Sequence, residues 1–160
     1  MTARLDLLRP TLDRYARRFH VLDLGGGVEP NQNIGQEIAR EYPNAVVTVI
    51  EQNWTREKFE PSPHTMVLRR SFNAPDLERL SSCEHFDVVI AFNLIHWFEA
   101  GWQQAAEAIS TMGDYVFVQI PTEVDVQAPG YGYIEAMLSY FKEHSECIGS
   151  TSQFPGHPPR

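Results

Sequence analysis

At 160 residues, with 42% hydrophobic and 21% charged, the chain is long enough to bury a core and too short to favour a second domain. Its formal net charge of −8 argues against a nucleic-acid backbone or an anionic membrane surface as the main partner, because neither attracts an acidic protein. No apolar run reaches membrane-spanning length, and Arg4, Asp6 and Arg9 stand where a signal peptide needs an apolar core, so membrane insertion is not expected and the default location is the cytoplasm.

Along the chain, Leu5, Leu8, Leu12 and Tyr15 recur at three- and four-residue steps. Residues 1–18 are therefore expected to be helical, with Pro10 breaking or kinking the run, and to lie against a sheet or cover a ligand. The stretch Phe19–Asn31, FHVLDLGGGVEPN, then passes from an apolar run of the kind buried on both faces of a parallel sheet into Gly25, Gly26 and Gly27. Ile34, Ile38 and Tyr42 follow at helical spacing and stop at Pro43 and Asn44, giving strand, glycine turn and helix. Ala45–Ile50, AVVTVI, reads as a second strand that delivers Glu51, with Gln52 beside it. Thr65–Leu68 reads as a third strand, Asp76–Leu80 as one or two helical turns, and Phe86–Phe92, FDVVIAF, as a fourth strand ending at Asn93. Trp102, Ala105, Ala106, Ile109 and Met112 have helical spacing, for which Gly113 is the expected C-terminal cap. Tyr115–Ile120 is the fifth predicted strand, and Ile134, Met137, Leu138 and Phe141 mark a last amphipathic helix.

Strands alternating with helices predict a single doubly wound α/β domain with a mostly parallel sheet, whose ligand sits at the carboxyl ends of the strands. Asp23, Glu51, Asn73, Asn93 and Pro121 fall at those ends and are expected to ring one crevice. A glycine turn after the first strand suits either a dinucleotide pyrophosphate on a bare helix N-terminus or a different nucleoside cofactor. The dinucleotide pattern lacks its third glycine here, the position being Pro30, and Asp23 would repel a pyrophosphate but attract an ammonium or sulfonium. Glu51 suits the hydroxyls of a ribose in both cases.

The segments VLDLGGG, Glu51 after the second strand, and FDVVIAFNLIHWF resemble the S-adenosylmethionine-dependent methyltransferases of the Rossmann-like class over residues 19–121. The resemblance implies S-adenosylmethionine as cofactor, with Asp23 near the methionine amino group, Gly25, Gly26 and Gly27 under the methionine and ribose, and Glu51 and Gln52 at the ribose. It places Ser71, Phe72 or Asn73 at the border of the adenine, and Phe92 and Asn93 beside the methionine end. The chain departs from that family at Glu29, where a third glycine is usual, and at its end, where Cys147–Gln153 supplies at most one of the two closing strands. Residues 122–160 then form an acceptor-side helix and polar tail, with the last strand lacking. The sheet edge is expected to close through the remainder of a longer chain or through a homo-oligomer.

Methyl transfer to a small-molecule or sugar-like acceptor needs a base only where the acceptor is protonated, and His96, just after the fourth strand, is the candidate. Packing is its alternative role. Trp97, Phe98 and Trp102 wall an acceptor pocket or fill core, and Tyr131 and Tyr133 are candidates for a lid. The other histidines have no metal-ligand spacing, so no metal is expected, and Cys83 and Cys147 read as free thiols of a reducing compartment, with a disulfide the alternative. Two rivals remain: an NAD-dependent oxidoreductase, and a non-catalytic domain that keeps the cofactor fold as a scaffold.

Overall fold

Unbroken apolar runs build the sheet, because a strand covered by helices on both sides has no face for polar residues. The computed structural model describes residues 3–27, 33–55, 61–121 and 131–149. Its strands are β1 (Phe19–Leu24), β2 (Ala45–Ile50), β3 (Thr65–Leu68), β4 (Phe86–Phe92) and β5 (Gly113–Gln119). They form one sheet in the order β3-β2-β1-β4-β5, with every neighbouring pair parallel. The chain runs outward from β1 through β2 to β3 and then returns to the other side of β1, so the order reverses between β1 and β4. Ligands of open α/β sheets bind at such a reversal, outside the carboxyl ends of the strands.

Two layers of helix cover the sheet: α1 (Ala3–Leu12) and α2 (Ile34–Glu41) on one face, α3 (Ala74–Cys83), α4 (Trp102–Ser110) and α5 (Ile134–His144) on the other. Successive strand residues point to opposite faces. Phe19 and Val21 of β1 accordingly join Leu5, Leu8, Leu12 and Ile38, while Leu22 and Leu24 join Leu77, Ala105, Ile109 and Met137. Asp23 has the parity of Phe19 and Val21 and faces α1 and α2. The two helices are tied to each other by the ion pair of Arg9 with Glu41.

The helical expectation for residues 1–18 is corrected, since α1 ends at Leu12. Pro10 gives no N–H to the preceding turn, and the chain leaves through turns in which Arg14 N donates to Thr11 O at 3.2 Å. Tyr15 is then free to stack on Phe19, with ring centroids 4.6 Å apart. The helix expected over Asp76–Leu80 is longer, because Asn73 and Asp76 cap each other's backbone N–H groups and start it at Ala74. Gly113 is not a helix cap but the first residue of β5, opposite Phe86. Close packing explains the glycine: a Cβ there would lie 2.8 Å from Val89 Cγ2 and 3.1 Å from the Phe86 carbonyl oxygen. Of the closing strand expected over Cys147–Gln153, Cys147–Gly149 are not a strand, and 150–153 lie outside the described residues.

Gly113→Ala is expected to destabilise the protein by about 1–3 kcal/mol through overpacking against β4. Urea unfolding measures it, and an unchanged midpoint would mean that the start of β5 can move away from Val89 at no cost.

Candidate cofactor site

At the carboxyl end of β1, Asp23 is 1% exposed, and its Oδ2 accepts a 2.9 Å hydrogen bond from the N–H of Gly35 in the first turn of α2. The approach is close enough to exclude side chains. A Cβ at Gly26 would lie 2.8 Å from Asp23 Oδ2 and 2.7 Å from Val49, and one at Gly35 would also lie 2.8 Å from that oxygen. Gly25 and Gly27 serve the turn differently, with φ of +66° and +75°, the left-handed region that costs a side-chain-bearing residue energy. Burial pushes the Asp23 carboxyl up to about 7; the Gly35 N–H and the Arg4 guanidinium oppose the shift, and Glu51 adds to it.

The N-terminus of α2 is closed by the protein itself. Asn33 caps it, its Oδ1 accepting from Gln36 N at 2.9 Å and its carbonyl from Glu37 N at 3.3 Å, while Gly35 N goes to Asp23. Asn33 Nδ2 also donates to Gly27 O at 3.2 Å and ties the cap to the glycine turn.

From β2, Glu51 is buried against the same turn. Its Oε2 accepts from Gly27 N at 3.2 Å and its Oε1 from Asn53 N at 2.8 Å. A carboxylate offers about four lone-pair positions, so acceptor capacity remains for a ligand hydroxyl. Gln52 is exposed in the following turn, and its carbonyl accepts from Arg69 Nε at 3.4 Å.

Between β1 and β4 lies a cavity of about 110 Å³ lined by Arg4, Asp23, Gly25, Gly26, Gly27, Ile34, Phe92 and Asn93. Arg4 reaches it from α1, is 8% exposed, and lies over Phe92 with its guanidinium carbon 5.5 Å from the ring centroid. Asn93 turns the chain away from β4 with φ of +52°, a conformation asparagine tolerates better than most residues. Asp23, the three glycines, Phe92 and Asn93 line this cavity together, and Glu51 adjoins them through Gly27.

Other expected site residues stand elsewhere. Asn73 caps α3, Ser71 is exposed, and Phe72 packs on the core with its ring 6.0 Å from that of Phe98. Asn73 and Pro121 do not line the cavity. His96, expected on the rim, is 2% exposed in the 3₁₀ segment Ile95–Gly101, with Trp97 beside it at 5.4 Å between rings. Trp102 is core, and Trp97 is 56% exposed. Glu29, Pro30 and the side chain of Tyr131 lie outside the described residues, while Tyr133 is exposed. Among the described residues no group of three or more His, Cys, Asp or Glu could hold a metal, and no helix is long and apolar enough to cross a membrane.

Arg4 is the site residue that sequence reasoning missed. It falls four residues before Leu8 and eight before Leu12, on the buried stripe of α1, and that placement of a charge was the available signal.

No protein-family model and no curated protein matches the chain by sequence. Solved structures do resemble it. ADP-L-glycero-D-manno-heptose-6-epimerase of Helicobacter pylori matches with a TM-score of 0.53 at 16% identity, over 81% of this chain and 52% of that one. The MycE methyltransferase of the mycinamycin biosynthetic pathway, in complex with Mg and SAH, matches with a TM-score of 0.51 at 15% identity, over 98% of this chain and 43% of that one. The chain thus spans about half the length of these structures or less. They agree with the strand order in giving a Rossmann-like α/β fold.

Folding raises the Asp23 carboxyl from its ordinary 3.8 to about 7, so the native state binds more protons than the unfolded state between those values. The stability contributed by Asp23 is full below pH 3.8 and is lost as pH rises towards about 7. Asp23→Asn is expected to flatten that part of the pH dependence of urea unfolding; the same slope in both proteins would assign it to other groups.

Proposed function

We propose that this chain binds S-adenosylmethionine and transfers its methyl group to a small-molecule or sugar-like acceptor. The fold alone does not choose, since an epimerase and a methyltransferase share it. The observation that carries the proposal is at the start of α2, where the otherwise open N–H groups of Gly35 and Gln36 donate to the side chains of Asp23 and Asn33. A pyrophosphate needs those donors bare and would meet a carboxylate instead. A ligand with a cationic group gains from the same arrangement.

The residues fit the two ends of the cofactor unequally. The cavity of about 110 Å³ is below the ~300–1,000 Å³ of a site that encloses a whole drug-sized ligand, so it suits the amino-acid end alone. Glu51, on the outer side of the glycine turn, has acceptor capacity for ribose hydroxyls. When bound, the cofactor supplies a methyl group on a sulfonium, a good leaving group. The protein's task is alignment: Phe92 and Asn93 border the methionine end, and the glycine turn lets the backbone approach it. His96 is the candidate base for a protonated acceptor, and at 2% exposed it would have to be uncovered for an acceptor to reach it.

Titration calorimetry with S-adenosylhomocysteine and, in parallel, NAD tests this reading. Binding of S-adenosylhomocysteine but not NAD is expected, with Asp23→Asn weakening it and a thermal melt reporting that the variant is folded. NAD binding alone would overturn the proposal. Binding of neither would support a non-catalytic scaffold, the reading that the small size of the cavity favours. Once an acceptor is in hand, His96→Ala is expected to lower kcat and leave cofactor affinity unchanged, and equal rates would assign His96 to packing.

A further inference from the structure

On its side of the sheet β3 is the end strand, and its outer edge is paired with no other strand among the described residues. The carbonyls of His64 and Leu68 face β2, accepting from Val47 N at 2.9 Å and from Glu51 N at 3.1 Å. Backbone groups alternate in direction along a strand, so the N–H and C=O of Val67 point outward. Beside that edge Met66 and Leu68 are 54% and 40% exposed. They share the sheet face of Ile50, which pairs with Leu68, while Val67 packs on the side of α1 and α2. Thr65–Leu68 holds no proline or charge to discourage pairing. We propose that this edge docks an extended acidic peptide segment of a partner protein, added antiparallel as a sixth strand.

Charge chooses the partner. Arg69 and Arg70 follow the strand directly, and with Arg79 they are exposed in a chain whose formal net charge is −8. Arg70 and Arg79 share one carboxylate, that of Asp76, at 3.8 and 3.5 Å, which leaves positive charge in excess at this end of the edge. An acidic segment is drawn to such a patch. A second copy of the chain fits less well, because two acidic proteins repel and a four-residue edge is far short of the ~1,200–2,000 Å² that a stable protein interface buries. A peptide strand needs only main-chain bonds and the side chains beside them.

The register follows from the open groups. In an antiparallel pair Val67 exchanges both of its hydrogen bonds with one peptide residue. The peptide residues on either side of it then lie opposite Leu68 and Met66 in non-bonded pairs, where side chains come closest, and apolar residues cover those two best. The acids precede them in the peptide, opposite Arg69 and Arg70. The segment that fits is two acids followed by alternating β-branched residues. None of the β3 residues or these arginines lines the cofactor cavity, so this surface is separate from it.

Amide NMR of the full chain with the peptide acetyl-Glu-Glu-Val-Thr-Val-Thr-amide tests the surface. Shifts and slowed hydrogen exchange are expected at the Val67 and Arg69 amides. A methyl group on the first Thr nitrogen removes the bond to the Val67 carbonyl and is expected to abolish both effects. Lysines in place of the two glutamates are expected to weaken binding about tenfold, the upper end of what two exposed ion pairs contribute. The double variant Arg69→Glu/Arg70→Glu is expected to reverse that preference, with a thermal melt reporting that it is folded. Equal response to the Glu and Lys peptides overturns the proposal, as does no response at millimolar peptide. A Val67 amide already protected in the free protein also overturns it, because the edge is then covered. Protection that rises with protein concentration would give the edge to a second copy instead.

Discussion

The hydrogen bond from Gly35 N–H to Asp23 Oδ2, 2.9 Å long and closed to water, sets how β1, the glycine turn and α2 meet. A carboxylate inside a sheet is costly unless the protein replaces its water shell. Here the replacement comes from the first turn of α2, whose N-terminal partial charge is positive, and from the Arg4 guanidinium. Both Gly26 and Gly35 must lack a Cβ for the chain to close around that oxygen. The glycine turn is thus shaped as much by the protein's own aspartate as by any ligand.

The same constraint explains why α1 belongs to the site. Its Leu5, Leu8 and Leu12 bury against β1 and α2, and this packing carries Arg4 to the strand ends beside Asp23 and Phe92. Hydrophobic burial positions the helix, and electrostatics uses the position. Arg4 and Asp23 thus meet at the strand reversal between β1 and β4.

Much of this was legible in the sequence because it depends on local patterns. The five apolar runs became the five strands, and the strand, glycine turn and helix around Asp23 were readable from residue type and spacing alone. What escaped was non-local. Gly113 looks like a helix cap until Val89 and Phe86 of β4 are found beside it, a contact between residues far apart in sequence. Asn73 looks like a rim residue because it follows β3, but its pairing with Asp76 directs it to α3. The buried position of His96 depends on the fold of the 3₁₀ segment, in which Glu99 has φ of +48° against the usual preference of its type. Arg4 was missed because a charge near the N-terminus is normally solvated, although it shares the stripe of Leu8 and Leu12.

A Rossmann-like sheet accepts several nucleoside cofactors at the same strand reversal, and the choice among them lies in which backbone donors stay open. In this chain the N–H groups of Gly35 and Gln36 at the head of α2 are closed by Asp23 and Asn33, and Glu51 closes the N–H of Gly27. Asp23 thus stands beside the turn where a phosphate-binding loop would present bare amides. Binding a phosphate there would require breaking these bonds and burying an anion beside Asp23. Binding a group with a positive charge and vicinal hydroxyls would leave the hydrogen bonds in place and use the lone pairs that remain. The turn is built around acids, and that favours a ligand whose polar groups donate.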